Sequence, residues 1–590
     1  MVGLTDLPLE TVEHIICYLA SYDKVSVLCV CKEWNAIFHG QLYRNVIVHS
    51  RKKLKKLLRQ FKRSESTGHL VRSLKVDVSD LASDEVDQLR QACPNIESLS
   101  VDCATSNEAI FLWCEAQSER LTKLSLVAAN DYIQFNQVVD VLPRLSRLRS
   151  LTLEDIQPQW VMTLYRMDLI HAACPDLEYL RIQIGCGQQP NHSPPSPEEI
   201  KSDAAPARAL REVSLDFRNA FYHYPEWLHY FGLRYPNLEC CRLERGFHKW
   251  PRRSQAAAEA YRVFAQNCRK LKAIRWKSVT TLDPLLYDAL VEAGTGLEEI
   301  DMYEDRAGNM NEDYKIYDWL LVSPLAQKIT TLSIGPRPEC SHPLEFVQDI
   351  AHFRHLTRLK IVDDRSEVLR FDVDDILDNC GHITHLTLEN IDLAVEEGEN
   401  RREHPLAYLA LTKADLDTAV LRRFSRRCPG LVKLELDDCT YAATAPLKVQ
   451  IPMWPQALHT VNLACRNLLG KGTARFFAVT ALPDGDREEP DQVEFDSAVT
   501  RWFYSTDIIS IHDDESFAPK FYSLSNEEIL ALKDIMNQWP EKTVETTGAR
   551  LCKEKDHQFR SQVKFRNFVH GYVHLCCRSL RDLYINKKYV

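Results

Sequence analysis

The residues with the greatest chemical potential in this sequence are its 19 cysteines. A thiol can ligate a metal, attack a carbonyl or close a disulfide, and each role needs its own spacing. Zinc needs CxxC pairs or Cys/His sets at comparable intervals. Here Cys240-Cys241 and Cys576-Cys577 are adjacent, and Cys29 and Cys31 flank Val30, so none makes a metal set. HExxH, GxGxxG and GxxxxGK[ST] are all absent from the sequence. Asp363-Asp364 and Asp372, Asp374 and Asp375 lack the glycine and terminal glutamate of a calcium loop. They read as solvated loop charge, as do Glu396, Glu397 and Glu399. The sequence therefore predicts no catalytic residue, no metal site and no cofactor, and points to binding.

Many of the cysteines instead fall at a recurring place beside leucines. Helical stretches end in Ala92-Cys93-Pro94-Asn95, Ala173-Cys174-Pro175-Asp176 and Arg427-Cys428-Pro429-Gly430, with variants at Arg234-Tyr235-Pro236-Asn237 and Asn267-Cys268-Arg269-Lys270. Proline stops the helix, and a small apolar thiol can pack beneath the turn. After each cap comes one phrase: apolar, two variable residues, apolar, one variable, apolar. NIESLSV (95–101), LTKLSL (121–126), LREVSL (210–215), ITHLTL (383–388) and LVKLEL (431–436) are examples.

The first apolar position recurs at Val71, Ile96, Leu121, Leu148, Leu177, Leu210, Leu238, Leu271, Leu297, Ile329, Leu356, Ile383, Leu406, Leu431 and Leu458, at intervals of 23 to 33 residues. LRDLYI (580–585) closes the series. That range is close to the leucine-rich-repeat period. The last two apolar positions are two apart, which places them on one face of a strand. One strand and one helix cannot bury their apolar faces alone, so repeats must stack. The expected fold is α/β: a solenoid, or horseshoe, with a parallel sheet on its concave face and helices outside, suited to holding a macromolecule.

Composition agrees. Apolar residues make up 45% and charged residues 26%, with a net charge of -10, which gives no support to a general nucleic-acid binder. No stretch approaches the roughly twenty apolar residues that cross a bilayer. The start of the sequence lacks the basic region and cleavage site of a signal peptide. The expectation is an intracellular protein, in cytoplasm and/or nucleus, with neither nucleic acid nor membrane as partner.

Residues 4–45 break the repeat. Pro8 and Glu10 open a helix with Val12, Ile15, Ile16 and Leu19 on its apolar face. A second carries Val27, Leu28, Val30, Cys31 and Trp34, and a third segment Ile37, Phe38, Leu42 and Tyr43. So short a module cannot bury this much apolar surface. Two readings follow, a docking site or a cap on the open end of the solenoid. The segment resembles the F-box: Leu7-Pro8-Leu9-Glu10, then Ile15 or Ile16, Leu19, Asp23 and Val30-Cys31-Lys32-Glu33-Trp34. Leu42-Tyr43 stands where the family often has a second tryptophan.

With the repeats, the architecture resembles the F-box/leucine-rich-repeat class. That resemblance implies a three-helix F-box and the role of substrate receptor in a Skp1-cullin-F-box ubiquitin ligase. Skp1, and through it a cullin, would bind by Leu7, Pro8, Ile15, Leu19, Leu28, Val30 and Trp34. The repeats would present a protein target without catalysis. The alternative is a non-enzymatic scaffold whose module binds Skp1, or caps the solenoid, outside any degradation pathway.

The domain plan is then an F-box at 1–48, a basic linker helix at 49–68, repeats over 69–479 with a Pro/Ser-rich loop at 187–207, a partly disordered insertion at 480–565, and a last repeat with its cap at 566–590. Residues 51–63, RKKLKKLLRQFKR, place leucines at helical spacing. They read as a linker helix with a solvated basic face, as a nuclear-import or acidic-partner patch, or as a membrane-surface helix. The insertion reads as a lid or as a binding-site loop, with a helical stretch at 526–541. Residues 565–585 read as a helix followed by the repeat strand. Phe221, Tyr222, Tyr224 and Trp227 form the aromatic group best placed to meet a target, whereas Trp276 sits at a core position.

Overall fold

The computed structural model describes Pro8, Thr11, Val12, His14, Ile15, Leu19 and residues 26–78, 81–102, 107–127, 135–156, 163–184, 205–217, 224–244, 255–277, 284–303, 320–336, 342–363, 369–395, 402–441, 448–464, 476–481, 500–505, 521–537, 572–585 and 588–589. The chain divides into two units, Met1–Leu297 and Glu298–Val590. Both are mixed α/β and both are built on mostly parallel, in-register strands, a solenoid-like repeat fold. The loop expected at 187–207 lies largely outside the described residues.

In the first unit helix α1 (Lys32–Arg44) runs straight into β1 (Asn45–Val48), followed by α2 (Arg51–Arg63) and β2 (Ser73–Val76). Then come α3 (Ser83–Ala92), β3 (Ser98–Asp102), α4 (Asn107–Ala116), β4 (Lys123–Val127), α5 (Phe135–Val141), β5 (Ser150–Ile156) and α6 (Leu164–Ala173). β6 (Tyr179–Ile184), β7 (Glu212–Phe217), α7 (Tyr224–Arg234), β8 (Cys240–Glu244), α8 (Gln255–Asn267), β9 (Ala273–Lys277) and α9 (Pro284–Glu292) complete it.

The repeat phrase sets the register. Leu74, Leu99, Leu124, Leu151, Leu180, Val213, Cys241 and Ile274 face one another across successive strands. All of them are buried, and so are all fifteen first apolar positions from Val71 to Leu458. A backbone stair joins the turns: Thr122 N–H donates to Glu97 O at 2.8 Å, Arg149 N–H to Thr122 O at 2.8 Å, and Glu178 N–H to Arg149 O at 2.7 Å. Side chains at this step alternate in charge, as in the pairs Arg72–Glu97, Arg149–Glu178 and Arg211–Glu239.

Cys93, Cys174, Cys380 and Cys428 are helix C-caps, and all are buried. Cys268 ends α8 in the same way, and its thiol lies 3.4 Å from the carbonyl of Tyr235 in the preceding repeat. Burial pushes the Cys93, Cys174, Cys380 and Cys428 thiols up to about 12, so they stay protonated and unreactive.

Between α6 and α7 lies a polar cluster. His171 Nε2 is 2.8 Å from the Tyr235 hydroxyl, and the Tyr230 hydroxyl donates to Asp168 at 2.7 Å. Burial, aided by Arg234, pushes the His171 imidazole down to about 4. Its folded value is below its unfolded one, so its contribution is complete above about 6.5 and is lost as pH falls toward 4. Denaturation of the full chain should show up to roughly 3 kcal/mol of acid sensitivity in that window. His171→Gln should flatten this dependence; an unchanged pH profile would refute the assignment.

The second unit opens with β10 (Glu299–Tyr303), β11 (Thr331–Ile334), α10 (Pro343–Ile350), β12 (Arg358–Val362), β13 (Arg370–Asp372), α11 (Val373–Asn379), β14 (His385–Glu389) and β15 (Asp392–Ala394). It continues with β16 (Tyr408–Thr412), β17 (Asp415–Leu416), α12 (Thr418–Arg427), β18 (Lys433–Asp437), β19 (Thr440–Tyr441) and β20 (Lys448–Ala464). The short strands β13, β15, β17 and β19 form a second ladder. A left-handed residue precedes the last three of them: Asn390 (φ 56°), Lys413 (φ 51°) and Asp438 (φ 53°).

The C-terminal elements depart from the expected plan. β21 (Phe476–Ala481), β22 (Thr500–Ser505) and β23 (Phe521–Ser523) form an antiparallel meander, and α13 (Asn526–Asn537) follows. Ser525 and Glu528 cap α13 reciprocally. Leu532 of α13 joins Phe476, Trp502, Tyr504 and Tyr572 in one core cluster. The described part of the insertion is thus a folded extension of the sheet; the rest of 480–565 lies outside the described residues.

β24 (Tyr572–Ile585) is one continuous strand, so the helix expected ahead of residue 580 is not there over 572–579. It pairs with β20 on one side and β21 on the other, and six successive residues from Tyr572 to Cys577 are buried. Such a fully buried run has no helix-or-strand periodicity to read, and its one polar member, His574, meets the Thr480 hydroxyl at 2.8 Å. β25 (Lys588–Tyr589) pairs back onto its end.

Candidate functional site

The N-terminal module has a small core of its own. Val12 and Phe38 are buried, with Leu19, Val27, Leu28 and Trp34 partly buried against them. Trp34 stacks on Phe38 at 5.7 Å between centroids. The Cys31 thiol accepts from Trp34 N–H at 3.4 Å and so caps α1, while the Asn35 amide donates to Leu28 O at 3.0 Å. These bonds hold the turn at Cys29-Val30 against the start of α1.

That turn leaves apolar side chains in solvent. Val30 is 60% exposed and Ile15 37%, and Pro8 is also exposed. Leu19, Leu28 and Trp34 belong instead to the module's own packing, half-buried at its edge. Leu7 lies outside the described residues. Of the seven residues expected to dock, Pro8, Ile15 and Val30 therefore offer the free apolar surface. Val30 and Ile15 are thus among the exposed large apolar side chains of the described residues.

The module is tied to the repeats by an element outside the expected repeat range. β1 pairs in register with β2, Val46 opposite Leu74 and Val48 opposite Val76, and Arg72 N–H donates to Arg44 O at 2.9 Å. The first strand of the parallel sheet thus lies at Asn45–Val48, within the span expected for the module. The signal was present: Tyr43, Val46 and Val48 follow the repeat spacing, with tyrosine at the first position.

The aromatic group expected to meet a target does not stand at the surface where it can be seen. Trp227 is 1% exposed and packs among Tyr230 and Phe231 on α7. It is core, because α7 turns its aromatic face inward. Phe221, Tyr222 and the Tyr224 side chain lie outside the described residues. Trp276 is buried, as expected.

The open face of the sheet in the second unit carries a row sequence reasoning did not single out. Arg358, His385, Tyr408 and Lys433 stand in register on adjacent strands. The His385 and Tyr408 rings are 5.5 Å apart, Lys433 lies over Tyr408 at 4.8 Å, and the Tyr408 hydroxyl donates to Glu435 at 2.9 Å. Burial, with Arg358 and Lys433, holds the His385 imidazole below its usual value. The row can present cations and ring faces to a bound chain, and His385 Nδ1 lies 2.9 Å from the Thr384 hydroxyl. Among the described residues no group of three His, Cys, Asp or Glu could hold a metal, and no helix is long and apolar enough to cross a membrane.

Fold and module together define a repeat protein with an N-terminal docking segment. Residues 4–49 match the F-box-like family, so the chain carries an F-box-like motif, a non-catalytic protein-interaction module. Among solved structures the chain is similar to the Rad7–Elc1 complex of yeast, at 13% identity over 75% of this chain and 96% of that one, with a TM-score of 0.35. It is also similar to the Drosophila Toll–Spatzle complex (11% identity, 66% and 57% covered, TM-score 0.31) and to the mouse RP105/MD-1 complex (12%, 69% and 69%, 0.29). At such TM-scores none of the three bears on what this chain binds. No curated protein matches it in sequence.

Proposed function

We propose that this chain is the substrate-recognition subunit of a Skp1-cullin-F-box ubiquitin ligase in the cytoplasm and/or nucleus. Its F-box-like segment binds a Skp1-like adaptor and through it a cullin, while the repeats hold a protein target. The same reading carries a three-helix module and horseshoe curvature for the repeats. The chain performs no chemistry; it raises the effective concentration of a target lysine near the charged conjugating enzyme. The observation that supports this reading most is an F-box-like segment whose Ile15 and Val30 are exposed above a packed core. Direct pairing of β1 with β2 adds to it, because a docked adaptor and a bound target would then share one frame.

The test is affinity purification of the tagged full chain beside Val30→Glu and Ile15→Glu, followed by mass spectrometry. A charge forced into a desolvated contact costs several kcal/mol. Skp1 and a cullin should accompany the parent chain and fall at least about ten-fold with Val30→Glu. Proteins retained by both are target candidates. A soluble, folded parent chain that recovers neither subunit leaves the module as a cap and removes the ligase reading.

A further inference from the structure

Helix α2 holds a charge pattern that the fold does not need. Eight of its thirteen residues are Lys or Arg, in a chain of net charge -10. All eight side chains are exposed, and only Arg51 has an ion-pair partner among the described residues, Glu85 at 3.4 Å. Lys52, Lys56, Arg59 and Arg63 follow i, i+4, i+7, i+11 spacing. They form a straight stripe about 16 Å long on the side opposite buried Leu54, Leu58 and Phe61.

Stability does not explain the stripe. Arg63 in the last turn suits the helix dipole, but like charges at i, i+4 repel, and the first turn carries no acidic residue, so Arg51, Lys52 and Lys53 oppose it. We propose that α2 is a docking surface for a short acidic protein segment, gripped by Lys52, Lys56, Arg59 and Arg63.

Other polyanions fit less well. A membrane-surface helix needs an apolar face to insert, and that face is packed into the repeats. A duplex or an anionic bilayer extends past the roughly 20 Å of α2. Asp77, 3.3 Å from His49, and Asp84, next to the Arg51 partner Glu85, are both exposed and put negative charge beside the N-terminal end of α2, where a longer polyanion would be repelled. A segment of about three helical turns matches the length of α2 itself. The proposal does not depend on adaptor docking, since none of these four residues is among the seven expected to dock.

The experiment measures fluorescence anisotropy of a labelled peptide of about twelve residues, with glutamates at i, i+4, i+7 and i+11, against the full chain at about 150 mM salt. The parent chain should bind, more weakly as salt rises. Lys52→Glu/Lys56→Glu/Arg59→Glu/Arg63→Glu should bind at least about ten-fold more weakly while melting at or above the parent temperature. Should that variant fail to fold, the four Lys/Arg→Gln changes carry the same reading. No binding by the parent, or equal binding by a folded variant, overturns the proposal. So does α2-dependent binding of a 20-base-pair duplex or phosphatidylserine vesicles as tight as that of the peptide. Skp1 recovery with the variant reports separately on the ligase reading.

Discussion

Arg427→Ala is expected to destabilise the second unit by about 3–5 kcal/mol. The Arg427 side chain is 5% exposed and reaches Asp374, 1% exposed, at 2.5 Å and Asp378 at 2.6 Å. Asp374, expected to be solvated loop charge, is instead a buried residue of α11, and Asp363 is buried as well. Its Nε donates to Arg402 O at 2.7 Å, and Arg423 approaches the other Asp374 oxygen at 3.3 Å. The guanidinium thus joins α11, α12 and the segment ahead of β16. Truncation leaves a buried carboxylate with one remaining cation. Asp374→Leu/Arg427→Leu should cost less than the single change, because the buried carboxylate leaves with its partner and the charges that remain, Arg423 and Asp378, are more exposed. Arg262→Ala, which breaks an exposed pair with Glu259 on α8, should stay within about 0.5 kcal/mol. Urea denaturation followed by circular dichroism measures all three. A loss below about 1 kcal/mol for Arg427→Ala would mean that water reaches Asp374.

The repeat strands were legible because each phrase places two side chains on one face, and that alternation recurs with every repeat. Two places were not legible, for physical reasons. In β20, Pro452 and Pro455 exclude a helix before the repeat phrase, and the strand extends backward through an irregularity between Met453 and Ala457. Gln456 is buried there, donating to Ser425 O at 2.6 Å and Cys428 O at 3.0 Å. It ties the strand to the end of α12, a contact no local pattern announces. In β24 the buried run is continuous, so it carries no alternation, and its backbone is paired on both edges, with β20 and β21.

The site was legible only in part. Val12 and Ile15 both belong to the apolar face of one short helix, and their types do not say which faces in. The structure buries Val12 against Phe38 and exposes Ile15. Half-buried Leu28 and exposed Val30 are separated in the same way, by the turn that Cys31 and Asn35 hold. Composition revealed a surplus of apolar residues, and packing alone decided which remain for a partner.

Trp227→Ala is the change that separates a core role from a recognition role for the aromatic group on α7. Trp227 packs against Tyr230 and Phe231, and Phe231 stacks on Tyr235 at 5.2 Å. A side chain of this size leaves a void that its neighbours must fill. They have little freedom to do so, because α7 already lies close against α8: a Cβ at Gly232 would stand 2.8 Å from the Phe264 backbone. The loss should therefore approach the upper end of the about 3–5 kcal/mol typical of such truncations, with Trp227→Phe costing less. Target proteins recovered by affinity purification should decline only as far as the folded fraction does. If Trp227→Ala melts like the parent chain yet loses its targets, the tryptophan meets the target and the core assignment fails. A large stability loss with retained targets at low temperature places recognition on other residues, and the row of exposed Arg358 and half-buried His385 and Lys433 becomes the next surface to vary.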